Sequence, residues 1–255
     1  MFAGLFDLAA GRFALAAVAA VLVGVAKTGV PGFGILAVPL MVLAVGDARQ
    51  SAGWLLPLLC VADLFAIAAY RRHAQARRLF ALLPWVLAGM AGGALALAAP
   101  ERTLRVVVAA IVFVMLVLRW WRERRAGAGS GAPPTPATDR WWQSAGYGTS
   151  AGFATTVANA AGPVMNLYLL ARRLPKQEFV ATGAWFFFVV NLMKLPVYVG
   201  HGLIDRRSLT HGAALVPAVV AGAWLGRTVL RRLPQETFES LVTLLTVAAA
   251  ALLLL

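Results

Sequence analysis

Cysteine is all but missing. Cys60 stands alone, so no internal disulfide can form, and with only three histidines no Cys/His metal spacing exists. Charge is scarce as well: 13% of the 255 residues are charged and 61% are hydrophobic, where a soluble domain carries about 25% and roughly 45–50%. A soluble fold of this length could not hide that much apolar surface, because area falls too slowly with mass. The shortage excludes disorder, a disulfide scaffold, a coiled coil and an ordinary soluble enzyme. Carboxylates are scarcer than cations, with ten Asp and Glu against 23 Lys and Arg, for a net charge of +13. In a soluble chain that excess would suggest nucleic acid. Here the arginines gather in short segments between apolar runs, the pattern that orients a membrane protein. The sequence has no His/carboxylate or Cys/His pair at depth and no nucleophile elbow. It therefore reads as no enzyme, with no catalytic residue, metal or cofactor. His73, His201 and His211 sit in or beside loops and read as solvated.

What the chain has in abundance is long apolar runs. A spanning helix needs about 20 mostly apolar residues. Ser51 to Tyr70, Leu79 to Ala98, Thr103 to Trp121, Glu178 to Gly200, Ser208 to Leu230 and Glu236 to Leu255 all qualify. In lipid they must be helices, which satisfy their own backbone groups. Two further stretches are interrupted: Phe13 to Gly46 by KTGVPGFG, and Trp141 to Ala171 by ANAAGP. Proline removes a backbone donor and glycine permits left-handed backbone, so each reads as a hairpin of two short apolar pieces. Such backbone persists at membrane depth only where protein or a cavity covers it. The Gly/Ala/Pro-rich segment 122–140 reads as a flexible cytoplasmic linker between a first transmembrane repeat, 1–121, and a second, 141–255. The opening MFAGLFDLAAGR lacks a basic leader and contains Asp7, so the N-terminus is expected to be retained.

The two halves repeat. Gly24, Asp63 and Tyr70 lie 128 positions before Gly152, Asn191 and Tyr198, and Pro84 in LPWVLAGMAGG matches Pro217 in VPAVVAGAWLG. PERTL, from Pro100, resembles PQETF, from Pro234. The densest basic patches are Arg71 to Arg78 and the linker with its flanks, which places both in the cytoplasm. Arg172, Arg173, Lys176, Arg231 and Arg232 then fall inside too, and both termini fall outside. On that count the repeats are inverted. The expected fold is all-α, a polytopic helical membrane protein of two inverted repeats, each a broken-helix hairpin plus three spanning helices. Trp120, Trp121, Trp141 and Trp142 flank the linker and read as interfacial anchors.

Charge at the bilayer centre is costly, so the few charged residues there mark the candidate site. Lys27 stands at the first break. One reading is an anion site, with Lys27 supplying charge and Gly29, Gly32, Gly34 and the start of the next helix supplying backbone donors. The other is a lysine snorkelling to an interface. GVPGFG is neither a dinucleotide fingerprint nor a phosphate-binding loop, because no strand precedes it and its lysine comes before the glycines. At the second break Thr155 matches Lys27, and Thr156, Asn159 and Gly162 could bond an oxyanion without adding charge; helix–helix hydrogen bonding is the plainer reading. Asn166 leans structural. Asn191 and Lys194, three residues apart, share a helix face. Lys194 is either functional or drawn to the outer interface. Asp63 is the one carboxylate well inside a span: it could pair with Lys27 or Lys194, or accept a coupling proton. Trp185 and Phe186 to Phe188 read as packing.

These stretches resemble the sulfite exporter TauE/SafE family of bacterial membrane transporters. The resemblance is carried by GVAKTGVPGFGILAVPL, from Gly24, by AGPVMNLYLL, from Ala161, and by FVATGAWFFFVVNLMKLPVY, from Phe179. It covers essentially the whole chain outside the linker. One departure is the second break, ANAAGP, where the family often has a glycine-rich GxGGP-like run. The resemblance implies a secondary transporter of a small anion such as sulfite, an organosulfonate or a related organic acid, exporting across the bacterial inner membrane. An anion channel or passive pore is the alternative, and an accessory subunit a third reading. Expected partners are the small anion, the lipid bilayer, a coupling proton and a second copy of the chain as a homodimer, but no nucleic acid.

Overall fold

The computed structural model describes residues 10–74, 76–96, 99–127, 141–158, 160–252 and 254. All the regular structure among them is helical. In chain order the helices are α1 (Ala10–Thr28), α2 (Gly34–Val45), α3 (Ala48–Tyr70), α4 (Ala76–Ala96), α5 (Glu101–Gly127), α6 (Trp141–Ala158), α7 (Ala161–Ala171), α8 (Lys176–Gly200), α9 (Arg206–Arg232) and α10 (Gln235–Leu252). A 3-10 turn, Arg71–His73, follows α3. Six of these helices are long and apolar enough to cross a membrane: α1, α3, α4, α5, α8 and α9. The chain is a multi-pass membrane protein.

Three expectations change. Both hairpins pair a long helix with a short one: α1 has 19 residues and α2 has 12, while α6 has 18 and α7 has 11. The Gly/Pro cluster lies late in each apolar stretch, so the first arm is near full length. Second, α10 starts at Gln235, one residue ahead of the stretch read from Glu236. Third, α5 continues to Gly127, into the segment read as linker, since Arg, Glu and Ala are good helix formers.

The helices form two compact units that interleave the sequence halves. The first holds α1, α2, α3, α8 and α9; the second holds α4 to α7 and most of α10. In the first, α1 and α9 lie side by side and parallel. Gly24 faces Val219 and Ala223, Gly222 faces Val21, and Gly226 faces Val25 and Thr28, so closely that a Cβ at any of the three glycines would fall on the neighbouring backbone. Thr28 Oγ1 crosses this seam to Ala223 O (2.7 Å). The second unit has the same construction between α6 and α4. Gly152 faces Val86 and Met90, Gly89 faces Thr149, and Gly93 faces Phe153 and Thr156. Every one of these contacts maps onto its counterpart when positions in α1 are advanced by 128 and positions in α4 by 133, the offsets that carry Gly24 to Gly152 and Pro84 to Pro217. Small residues let helix backbones approach where no hydrophobic effect drives them together, so contact area has to come from close fit.

Within the first unit α3 and α8 are antiparallel. The start of α3, at Gly53, meets Leu203 just beyond the end of α8, and its middle, at Asp63, meets Asn191.

Candidate functional site

Lys27 lies in the last turn of α1, just before the chain leaves the helix. Gly32 takes φ +118°, a conformation open to glycine, and α2 begins at Gly34 beside Ala26. The lysine does not reach away alone. Its Nζ stands 2.8 Å from Asp63 Oδ1 and 4.1 Å from the centre of the Phe187 ring. Asp63 is wholly buried on α3, and its other oxygen accepts a hydrogen bond from Asn191 Nδ2 on α8 at 2.9 Å. Lys194, one helical turn further along α8, is also buried and lies within electrostatic range of Lys27. Three helices thus bring two lysines and one aspartate together, a formal sum of +1. Tyr70 ties the C-terminal end of α3 onto the break by donating to Thr28 O (2.9 Å).

The sequence-derived candidates divide. Lys27, Asp63, Asn191 and Lys194 belong to one cluster, with Lys27 neutralised by a carboxylate and not left to snorkel. Gly34 lies beside Ala26, and Gly32 supplies the left-handed turn. The N–H of Gly29 donates to Val25 O, and a Cβ there would meet Gly226. Thr156 and Gly162 lie in the second unit, where Thr156 Oγ1 donates to Gly152 O (3.0 Å), the counterpart of the Thr28 bond to Gly24 O. A Cβ at Gly162 would meet no neighbour. Asn159 lies outside the described residues. Asn166 bonds Thr246 (3.3 Å), in keeping with a structural role.

One expectation is overturned. His211 is no loop histidine: it lies on α9, is 1% exposed, stacks on Trp54 with ring centroids 4.6 Å apart, and has Nδ1 2.8 Å from Arg207 O. The helix begins five residues earlier, at the Asp205–Ser208 capping box, so His211 is in its second turn. His73 and His201 are exposed as expected. Sequence reasoning also missed Phe187, Thr28 and Tyr70. Phe187 had a signal: it stands four residues before Asn191, on the same helical face.

No metal-holding group of His, Cys, Asp or Glu occurs among the described residues. Neither the curated proteins nor the solved structures yielded a match. The family described as sulfite exporter TauE/SafE matches residues 15–253. With helix breaks at GVPGFG and ANAAGP, six helices long and apolar enough to span among the described residues and a cationic cluster at the first break, that match runs from within α1 to the end of α10, and the chain belongs to the sulfite exporter TauE/SafE family of membrane transporters.

Proposed function

We propose that this chain is a secondary transporter that binds a small oxyanion, such as sulfite, an organosulfonate or a related organic acid, at the Lys27–Asp63–Asn191–Lys194 cluster and carries it across the bacterial inner membrane by alternating access. The observation that carries this reading is the coincidence of an intramembrane lysine cluster of net positive charge with a broken helix. Family membership supports the transport class. Lys194 and Lys27 together give more positive charge than Asp63 cancels, and Asn191 offers a neutral donor beside them.

The packing supports inverted repeats. Equivalent helices α3 and α8 run antiparallel, and the equivalent positions 63 and 191 touch each other. Residues that are counterparts can meet only beside the axis that relates them. A two-fold axis lying in the membrane plane would put the cluster near mid-membrane, where binding sites of such transporters sit.

Flux in proteoliposomes tests the function. Radiolabelled sulfite or methanesulfonate should accumulate above its equilibrium distribution when a proton gradient is imposed, or exchange against unlabelled anion held on the far side. Flux that only relaxes concentration differences, with no counterflow, would establish the channel reading instead.

A further inference from the structure

The cation at the candidate site is already taken. Lys27 Nζ is held by Asp63 Oδ1 at 2.8 Å, and Asp63 is wholly buried. An anion that docks on Lys27 competes with that carboxylate for one ammonium. A buried carboxylate stripped of its counter-ion is strongly destabilised, and the remedy open to it is protonation. Asn191 is suited to both forms: its amide N–H₂ donates to the carboxylate, as observed at 2.9 Å, and its carbonyl can accept from the protonated acid after a flip. Resting on the anion site proposed above, we infer that each anion bound at Lys27 is accompanied by one proton taken up on Asp63, which makes the chain a proton–anion symporter.

The step balances. The resting pair, −COO⁻ with −NH₃⁺, plus a sulfonate monoanion and a proton, becomes −COOH with −NH₃⁺ and the bound sulfonate. No charge is gained, so a monoanion and its proton cross without moving net charge. Release reverses the order. The electrostatics favour joint binding over exchange, because anion and proton each neutralise what the other leaves exposed.

Other titratable groups lie on α3 and on the elements packed against it. Lys27 comes from α1 and Lys194 from α8. Cys60 and Tyr70 lie on α3 itself, and α2 brings none. From α9 come His211, stacked on Trp54, and Arg227 and Arg231, whose charges reach Tyr70; Arg71, Arg72 and His73 follow on the 3-10 turn. Asp63 differs from all of these in having its charge partner at the place the anion needs. Lys194 is already an ammonium in the sum of +1, so it has no place for a further proton.

Methanesulfonate is the probe, because it stays a monoanion throughout the working pH range and carries no proton itself. The full chain is reconstituted with a pH dye in the lumen. Entry of methanesulfonate should acidify the lumen by one proton per anion, and its net flux should not respond to a potassium/valinomycin voltage clamp. In detergent, binding of methanesulfonate to the wild-type chain in weak buffer should take up one proton per site, a measurement that needs no variant. Asp63→Asn should lower the proton-to-anion ratio to zero, and Cys60→Ala, outside the cluster, should leave it at one. Counterflow of methanesulfonate without proton uptake overturns the coupling and leaves the transport reading standing. A ratio of one retained in Asp63→Asn also overturns it. Failure of wild-type counterflow with methanesulfonate and sulfite alike overturns both.

Discussion

Lys27 answers to two neighbours, and substitutions there separate its roles. Lys27→Met removes the ammonium at nearly constant length, so the proposed oxyanion loses a charge-assisted bond of about 1.5–3 kcal/mol, and affinity should fall by roughly 10- to 150-fold. The same change strands the Asp63 carboxylate, which is wholly buried, and a buried pair with one partner removed loses about 3–5 kcal/mol. Thermal unfolding in detergent should therefore show Lys27→Met well below the wild type, with the double variant Lys27→Met/Asp63→Asn recovering much of the loss while binding stays weak. A double variant no more stable than Lys27→Met would mean that the pair is not the source of the loss. Lys27→Arg keeps the charge but must fit a planar fork where a point charge stood over the Phe187 ring, and isotopic exchange should still be impaired. Normal exchange in that variant would remove Lys27 from the anion contact. The intramembrane charges were legible in the sequence because each is so costly in lipid that its presence marks a site. Their pairing was not legible, because two partners of Asp63 were open and only tertiary packing chose Lys27. Phe187 was passed over for a related reason: its place four residues before Asn191 marks the helical face, but in a run of three phenylalanines packing is the plainer reading.

Among the elements, the glycine seams decide where helices can lie. Gly24 and Gly222 sit on opposite sides of the α1–α9 contact, each with the partner backbone where its Cβ would be. Gly24→Val or Gly222→Val should push the helices apart, at a cost of about 1–3 kcal/mol or more, and reduce the yield of folded protein by size exclusion. The counterpart Gly152→Val should do the same between α6 and α4. Gly92, on α4 with no neighbour within 4 Å, gives the control: Gly92→Ala should be neutral or stabilising by up to about 1 kcal/mol through helix propensity. Equal losses at Gly24 and Gly92 would show that the close approach of a neighbouring backbone does not govern these sites. The 128-residue offset was visible beforehand through Gly24 and Gly152, yet which helix each glycine faces was not. That information lies in the pairing of α1 with α9 and α4 with α6, between segments far apart in sequence. Break positions were legible from Pro and Gly, while the full-length first arms were not, since Ala-rich flanks extend a helix without announcing its start.

For the whole molecule, orientation is the open quantity that charge can answer. The basic corner Arg71 to Arg78 should face the cytoplasm, which sends the turn after α8 to the periplasm. In a Cys60→Ala background, Ala74→Cys should react with an impermeant maleimide only after the membrane is permeabilised, and His201→Cys should react in intact cells. The opposite pattern would reverse the molecule. The contact between Asp63 and Asn191 then acquires a kinematic meaning. A rotation leaves the points on its axis where they were. If the two halves exchange conformations about an axis passing between positions 63 and 191, an anion held beside that pair is already at the fixed point of the exchange. Under the proposed alternating access it would not need to be carried through the bilayer; the water-filled approach would be taken down on one face and raised on the other, while the cargo stayed nearly still.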